Sequence, residues 1–327
     1  MLTPDLCASS AAGMHHHHTT DVEEHAERLQ GWQLRYDQLT SGRFSGTISE
    51  LRLDGMQLVR DRANQAMVKN GCTWDGAISF SMPLAKHQDD FHCAGHSISG
   101  HNLLVARGQS LPELRAPAGL DLLCVTIDQQ LLEQTLQHQN HGFDLQALPR
   151  CYRLHDGGSQ FGLITLFHSL FDETSLQAPL LDYSAIREGI RDAVLMHLLD
   201  LLDEEDVQPL TPSARKRMVD RAREYALSNP DSPPSIVELC NRVGASRRKL
   251  QYCFQETLGI NPLAYLRALR LNAVHRVLLQ GDSAPVQDVA ASWGFWHLSR
   301  FATDYRQLFG ERPSDTRRRN RNRADFG

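Results

Sequence analysis

The spacing of apolar positions changes along this chain, and each change predicts a different element. From Asp21 to Leu39 the residues Val22, Ala26, Leu29, Trp32, Leu34, Tyr36 and Leu39 are spaced in a mixed way that suits one helix. From about Phe44 to Ile127 short runs take over, such as Gln57-Leu-Val-Arg, Ala77-Ile-Ser-Phe-Ser-Met and Leu122-Leu-Cys-Val-Thr-Ile. Gly and Pro break them at roughly ten-residue spacing, the pattern of a small β-sandwich or barrel. Helical periods return at 129–138, 160–174 and 183–202. In the last, Ile186, Ile190, Val194, Leu195, Leu198, Leu199 and Leu202 make a stripe wide enough for a core or a partner helix. The acidic, proline-bearing stretch DEEDVQPLTP, 203–212, marks a domain boundary.

Beyond the boundary every period is helical. Pro212 and Ser213 open a helix that Asn229-Pro230 stops. Ser235 with Glu238 forms a capping box, so a new helix begins sharply there. Its inner face is Ile236, Leu239, Cys240 and Val243; Gly244 then supplies the positive φ of a tight turn. The helix after the turn points Leu250 and Phe254 inward and Arg247, Arg248, Gln251 and Tyr252 outward. About fifty residues later the design recurs. Val286, Val289, Ala290 and Trp293 form an inner face and Gly294 matches Gly244. Phe301 and Tyr305 then point inward, with Leu298 partly so, and His297, Ser299, Arg300 and Thr303 point outward. Helix, glycine turn and helix is the helix-turn-helix unit. Between the two units, Asn261-Pro262 begins a helix that Gly281 ends. At 1.5 Å per residue this strut spans roughly 28 Å, suited to major-groove segments that recur about every 34 Å.

Charge sharpens the picture. Residues 211–327 hold 20 Lys and Arg against 11 Asp and Glu, a net of +9, whereas residues 1–210 hold 14 against 28, a net of −14. A basic module facing a polyanion is the natural reading.

At this point the segments IVELCNRVGASRRKLQYCF and DVAASWGFWHLSRFATDYRQLFGERPS resemble the DNA-binding domain of the AraC/XylS family of transcription regulators, over about 213–316. The second carries that family's signature in Gly294-Phe295, Ser299, Phe301, Tyr305-Arg306, Phe309-Gly310 and Pro313. Within the family, TTDVEEHA, LCNRVGASRRKLQ, LRLNAV and WGFWHLSRFATDYRQLF resemble the branch that governs ethanolamine-utilisation operons, and the likeness fades between about 65 and 120. The resemblance implies that Arg248, Gln251 and Tyr252, then Leu298, Ser299, Arg300 and Thr303, reach bases. It also implies a promoter duplex, RNA polymerase and a small-molecule effector as partners, with an activator's role. In chemical terms Arg248 and Arg300 suit guanine, Gln251 suits adenine, and Leu298 suits a thymine methyl or the core.

Other constellations lead elsewhere. His87, His92, Cys93, His96 and His101 crowd one stretch of the β region, but no H-x-H pair with a downstream Glu and His follows, so loop histidines are the expectation and no metal or cofactor is assigned. Two alternatives stay open: a cupin-like metalloenzyme fused to a DNA-binding domain, and a DNA-repair alkyl acceptor. The scattered cysteines do not supply the four-Cys zinc site of the latter, and no nucleophile elbow, P-loop or dinucleotide fingerprint supports an enzyme. Trp74, Phe80 and Met82 could line a ligand pocket, though a core role is the expectation. No apolar run suits a membrane span or secretory leader, so a cytoplasmic location is expected.

The reading is therefore an α+β, two-domain chain. Residues 1–20 are a disordered N-terminus with the run His15 to His18, and 21–205 a β-rich, cupin-like sensor domain with helices, dimerising through 183–202. Residues 206–212 are a linker, 213–316 an all-α domain of two helix-turn-helix units joined by a long helix, and 317–327 a disordered basic tail.

Overall fold

The computed structural model describes residues 13–84, 91–98, 102–139, 145, 149–155, 160–171, 178–202, 207–281 and 284–324. The N-terminal part opens with β1 (Gly13–Thr19), α1 (Val22–Ala26) and β2 (Gln33–Gln38). Next come β3 (Gly46–Leu53), β4 (Met56–Ala63), β5 (Met67–Cys72), β6 (Ala77–Pro83), β7 (Phe91–Cys93), β8 (His96–Ile98), β9 (Asn102–Arg107), β10 (Leu111–Ala116) and β11 (Leu120–Asp128). The helices α2 (Gln129–His138), α3 (Gln160–Phe171) and α4 (Ser184–Leu202) follow, with β12 (Cys151–His155) between the first two and β13 (Val207–Pro209) after the last. All described ladders are antiparallel. They build one sheet in the order β1-β3-β4-β11-β6-β9-β12-β13 and a second in the order β2-β5-β10-β7-β8.

The larger sheet is covered on both faces, and the sequence of its central strand shows why. Along β11, Leu123, Val125 and Ile127 join a core with Leu132 of α2, Leu163 and Phe167 of α3, and Val194 and Leu198 of α4. The alternate residues Leu122 and Cys124 face the smaller sheet, beside Tyr36, Met67, Phe91 and Ala116. Two apolar faces make a nearly continuous apolar run where a half-exposed strand would alternate. Phe80 and Met82 of β6 belong to the helix-covered core, as expected, while their neighbours Ser79 and Ser81 face the other way, into a cavity between the sheets.

Four expectations are corrected. Residues 13–19 are not disordered: they pair with β3 from Gly13–Arg52 to Thr19–Gly46, and His16 Nδ1 lies 2.9 Å from Ser49 Oγ. An edge strand needs backbone partners more than an apolar pattern, so the histidine run concealed it. Residues 21–39 are not one helix but α1 followed by β2, where buried Tyr36 alternates with exposed Gln33 and Arg35. The linker contains β13, which extends the larger sheet through Leu154–Val207 pairing. The basic tail is helical to Ala324, and Arg319 bonds Asp21 and Glu311. Residues 1–12, His87 and His101 lie outside the described residues.

The C-terminal part is all helix: α5 (Ala214–Ser228), α6 (Ile236–Val243), α7 (Arg247–Leu258), α8 (Pro262–Leu279), α9 (Val286–Ser292), α10 (Leu298–Phe309) and α11 (Pro313–Ala324). The caps fall where the sequence places them. Ser213 caps α5, the Ser235–Glu238 box caps α6, and Asn261 caps α8 ahead of Pro262. Its core gathers Leu239, Leu250, Phe254, Tyr265, Leu269, Val274, Val289, Phe301 and Tyr305, and it also takes in Leu39 and Val68 from the β domain. Buried on nearly every side, α8 has no single apolar stripe: its buried Leu and Ala residues lie all round it, and the polar Asn272 and His275 are buried too.

Candidate nucleic-acid interface

Each helix-turn-helix unit is set by its glycine. Gly244 at φ +67° and Gly294 at φ +73° adopt the left-handed conformation that side chains disfavour. At Gly294 a Cβ would lie 2.5 Å from Pro233 Cδ, so the turn of the second unit packs against the loop leading into the first. The inner faces hold as expected: Leu239, Val243, Leu250 and Phe254 in the first unit, and Val289, Ala290, Phe301 and Tyr305 in the second, are buried.

With the inner faces fixed, helical geometry determines what points outward. Arg247, Arg248, Gln251 and Tyr252 are exposed on α7. His297, Leu298, Ser299, Arg300 and Thr303 are exposed at the start and along the outer side of α10, Leu298 at 44%. Among the described residues Arg247, Arg248 and Arg300 form no ion pair, so their guanidinium groups are available to an outside anion. Two candidates carry internal restraints. Thr303 Oγ1 donates to Ser299 O at 3.0 Å, and the Arg215 guanidinium sits 5.2 Å from the centre of the Tyr252 ring. His297 stands at the N-cap of α10 without a capping bond, leaving its ring nitrogens free of that duty.

Sequence reasoning did not single out Trp296, which is 67% exposed in the turn just before α10. The signal was present in GFWHL, where two aromatics flank a turn and only Phe295 is needed inside. It also overlooked Lys249, exposed on α7 beside the arginines.

The β domain contains a narrow cavity with a free volume of about 80 Å³. Its walls include Leu34, Tyr36, Val59, Leu104 and Leu122, with Asp61 and Lys69 as the charged pair. Asp61 accepts from Lys69 and lies 2.9 Å from His25 Nε2. Burial alone would raise the Asp61 pKa, but the Lys69 ammonium and His25 hold it well below the usual carboxylate range. Lys69 also sits 4.6 Å from the centre of the Tyr36 ring. Trp74 is not among the residues lining this cavity.

Of the suspected histidine cluster, His92 and Cys93 lie on β7, while His96 of β8 has its Nε2 2.9 Å from Thr211 O. Among the described residues, the group of potential metal ligands that comes together is Asp21, His275 and Glu311, with one donor atom each within 4.8 Å of the others. Arg319 Nη2 already lies 2.6 Å from Asp21 and 2.9 Å from Glu311, so a guanidinium supplies the positive charge there.

Residues 239–319 match a protein family described as a helix-turn-helix domain, from Leu239 in α6 to Arg319 in α11. The curated relative "Probable thc operon regulatory protein" of Rhodococcus erythropolis is 36% identical over 96 residues, so the match spans only 29% of either protein. The XylDLEGF operon transcriptional activator of Pseudomonas putida is 23% identical over 257 residues, covering 78% of this chain and 74% of that one. Among solved structures, a transcriptional regulator with an AraC-type DNA-binding domain from Chromobacterium violaceum is 29% identical, over 32% of this chain and 92% of that chain, at a TM-score of 0.30. The C-terminal helices are a helix-turn-helix domain, and the similar proteins are regulators of transcription. Among the described residues no helix is long and apolar enough to cross a membrane.

Proposed function

We propose that this chain is a sequence-specific DNA-binding regulator of transcription, acting as an activator of a bacterial operon under the control of a small-molecule effector. The observation that carries the reading is the pair of helix-turn-helix units, each presenting on its second helix exposed arginine that has no ion-pair partner among the described residues. In this reading Arg247, Arg248, Gln251 and Tyr252 engage one major-groove segment, and His297, Leu298, Ser299, Arg300 and Thr303 the next. Arg248 and Arg300 read guanine by paired donors, and Gln251 reads adenine. RNA polymerase is the downstream partner, the protein works in the cytoplasm, and 183–202 joins two copies through its outer side, where Tyr183, Ile186 and Met196 are exposed. Val194, Leu195, Leu198, Leu199 and Leu202 of its apolar stripe are used in the chain's own core. No catalytic group is assigned.

The cupin-like β domain would hold the effector in the cavity around Asp61 and Lys69. A volume of about 80 Å³ suits a molecule of few heavy atoms. That favours an amine or alcohol the size of ethanolamine, in keeping with the sequence resemblance, over a cobalamin.

Enrichment of genomic DNA on the full chain, followed by sequencing, should return one recurring site. Arg300→Ala should then cost about 1–3 kcal/mol and relax preference at one base position. Equal weakening on random DNA would assign Arg300 to a phosphate instead. Thermal shift of the full chain against small amines and alcohols tests the effector class: a ligand at a hundredfold excess over its Kd adds about 2.7 kcal/mol of stability. A shift from cobalamin and none from the small compounds would overturn the assignment of the cavity.

A further inference from the structure

Two elements of the β domain stand between the cavity and the helix that joins the two helix-turn-helix units: β2 lines the cavity itself, and α1 bonds a residue that lines it. Strand β2 gives Leu34 and Tyr36 to the cavity, and its next residues lie on α8. There Gln38 N donates to Asn272 Oδ1 at 2.9 Å and Asn272 Nδ2 donates back to Gln38 O at 2.9 Å, so a side chain completes the strand's edge. Gln38 Nε2 continues to Leu308 O in the last turn of α10, at 2.7 Å.

Helix α1 repeats the arrangement. Its His25 bonds Asp61, the partner of Lys69 in the cavity wall. On its other side, Glu23 accepts from Arg276 Nη1 at 2.6 Å, and Arg276 Nη2 donates to Asp37 at 2.9 Å. The cap residue Asp21 lies 2.9 Å from His275 Nε2, and His275 Nδ1 is 2.5 Å from the Tyr305 hydroxyl. Tyr305 is one of the buried residues of α10, the helix that carries Ser299, Arg300 and Thr303 outward.

We infer that α1 and β2, clamped on Asn272, His275 and Arg276 of α8, form the route by which the state of the β-domain cavity sets the position of recognition helix α10. The inference rests on the reading of α10 as a DNA-contacting helix and of the cavity as the effector site. Gln38, Asp37, Asn272 and His275 are all buried. A buried polar group left without its partner is costly, so a small slide would break several bonds at once. Such an interface has discrete settings and does not deform smoothly, which is what transmission between sites requires.

Hydrogen exchange on the full chain tests this without DNA. Asn272→Ala and Arg276→Ala should speed exchange at 33–38 and at 69–72, the part of β5 that brings Lys69 and Asn70 to the cavity, by about fivefold or more, the lower end of usual couplings. Exchange in α2, which contributes nothing to the cavity wall, should stay unchanged. Leu263→Ala, at an exposed position on the same helix, should change neither segment. Arg276→Lys gives the same readout if the alanine variant does not fold. Unchanged exchange at 69–72, or an equal rise in α2, would overturn the inference. A second arm adds the enriched duplex: binding should alter exchange at 33–38 and 69–72 in the native chain and not in Arg276→Ala, and the same response in both would refute the route. A native chain that binds no duplex would defeat the DNA-binding reading, while the first arm still decides the clamp.

Discussion

Arg276 places one guanidinium between two buried carboxylates, Glu23 at 2.6 Å and Asp37 at 2.9 Å. One positive charge cannot fully compensate both. Burial pushes Glu23 up to about 7 even though Arg276 pulls the other way, and the charge on Asp37 adds to the rise. Arg276 itself is raised, as a well-paired base should be. The two shifts agree if Asp37 is the firm partner and Glu23 is the one that carries a proton near neutrality. A carboxyl raised above its ordinary 4.5 favours folding while protonated, so its contribution is complete below about pH 4.5 and lost as pH rises through about 7. Asp21 has the opposite sign: held below its ordinary value mainly by His275 against burial, it stabilises above about pH 4 and fails on acidification. Glu23→Gln, which still offers Arg276 an amide oxygen, should flatten the fall in stability between about pH 4.5 and 7, measured by denaturant unfolding. An unchanged slope would mean Glu23 is ionised throughout. None of this was legible in the chain, where Glu23 is one more acid of VEEHA and its partner lies 253 residues away.

Elements were legible where a local rule acts alone. The capping box at Ser235, the cap at Asn261 and both glycine turns were readable because each is fixed by neighbours within a few residues. Elements made by distant partners were not. β1 exists through β3, β13 through β12, and the helical tail is tied down by Arg319 on Asp21. The turns provide an internal comparison. Gly244 and Gly294 share a left-handed φ, but a Cβ at Gly244 meets nothing within 4 Å, whereas at Gly294 it meets Pro233 at 2.5 Å and Pro230 O at 2.9 Å. Gly244→Ala should therefore cost about 1–2 kcal/mol for conformation alone. Gly294→Ala adds a clash with proline and backbone, which can only shift, and overpacking of that kind costs about 1–3 kcal/mol more. Thermal unfolding of the two variants checks the order, and equal losses would mean the contact between the two units yields without cost.

At the scale of the molecule, the split into a net −14 half and a net +9 half was visible from the start, but only part of its meaning was. The basic half does present, on α7 and α10, exposed arginines that form no ion pair among the described residues, yet other cations face the acidic half. Lys216 and Arg223 both pair with Glu113, Arg276 with Glu23 and Asp37, and Arg319 with Asp21. Charge that would read as an affinity for polyanions is thus partly spent on holding the two domains together. Sequence alone cannot separate these uses, because both need the same residue type and only docking tells which cations are covered. The consequence is thermodynamic. Domains joined by buried ion pairs and a shared core that includes Leu39 and Val68 should unfold together, so calorimetry of the native chain should show one transition. Arg276→Ala leaves buried Asp37 with only the exposed Arg35 guanidinium, 3.8 Å away, and removing one member of a buried pair costs about 3–5 kcal/mol. The low end is expected, since Glu23 can take up a proton and relieve part of the charge. That loss falls on the interface and not on either core, so the single transition should separate into two. One transition, merely shifted to lower temperature, would show that Glu113 and the apolar contacts suffice to keep the domains coupled without Arg276.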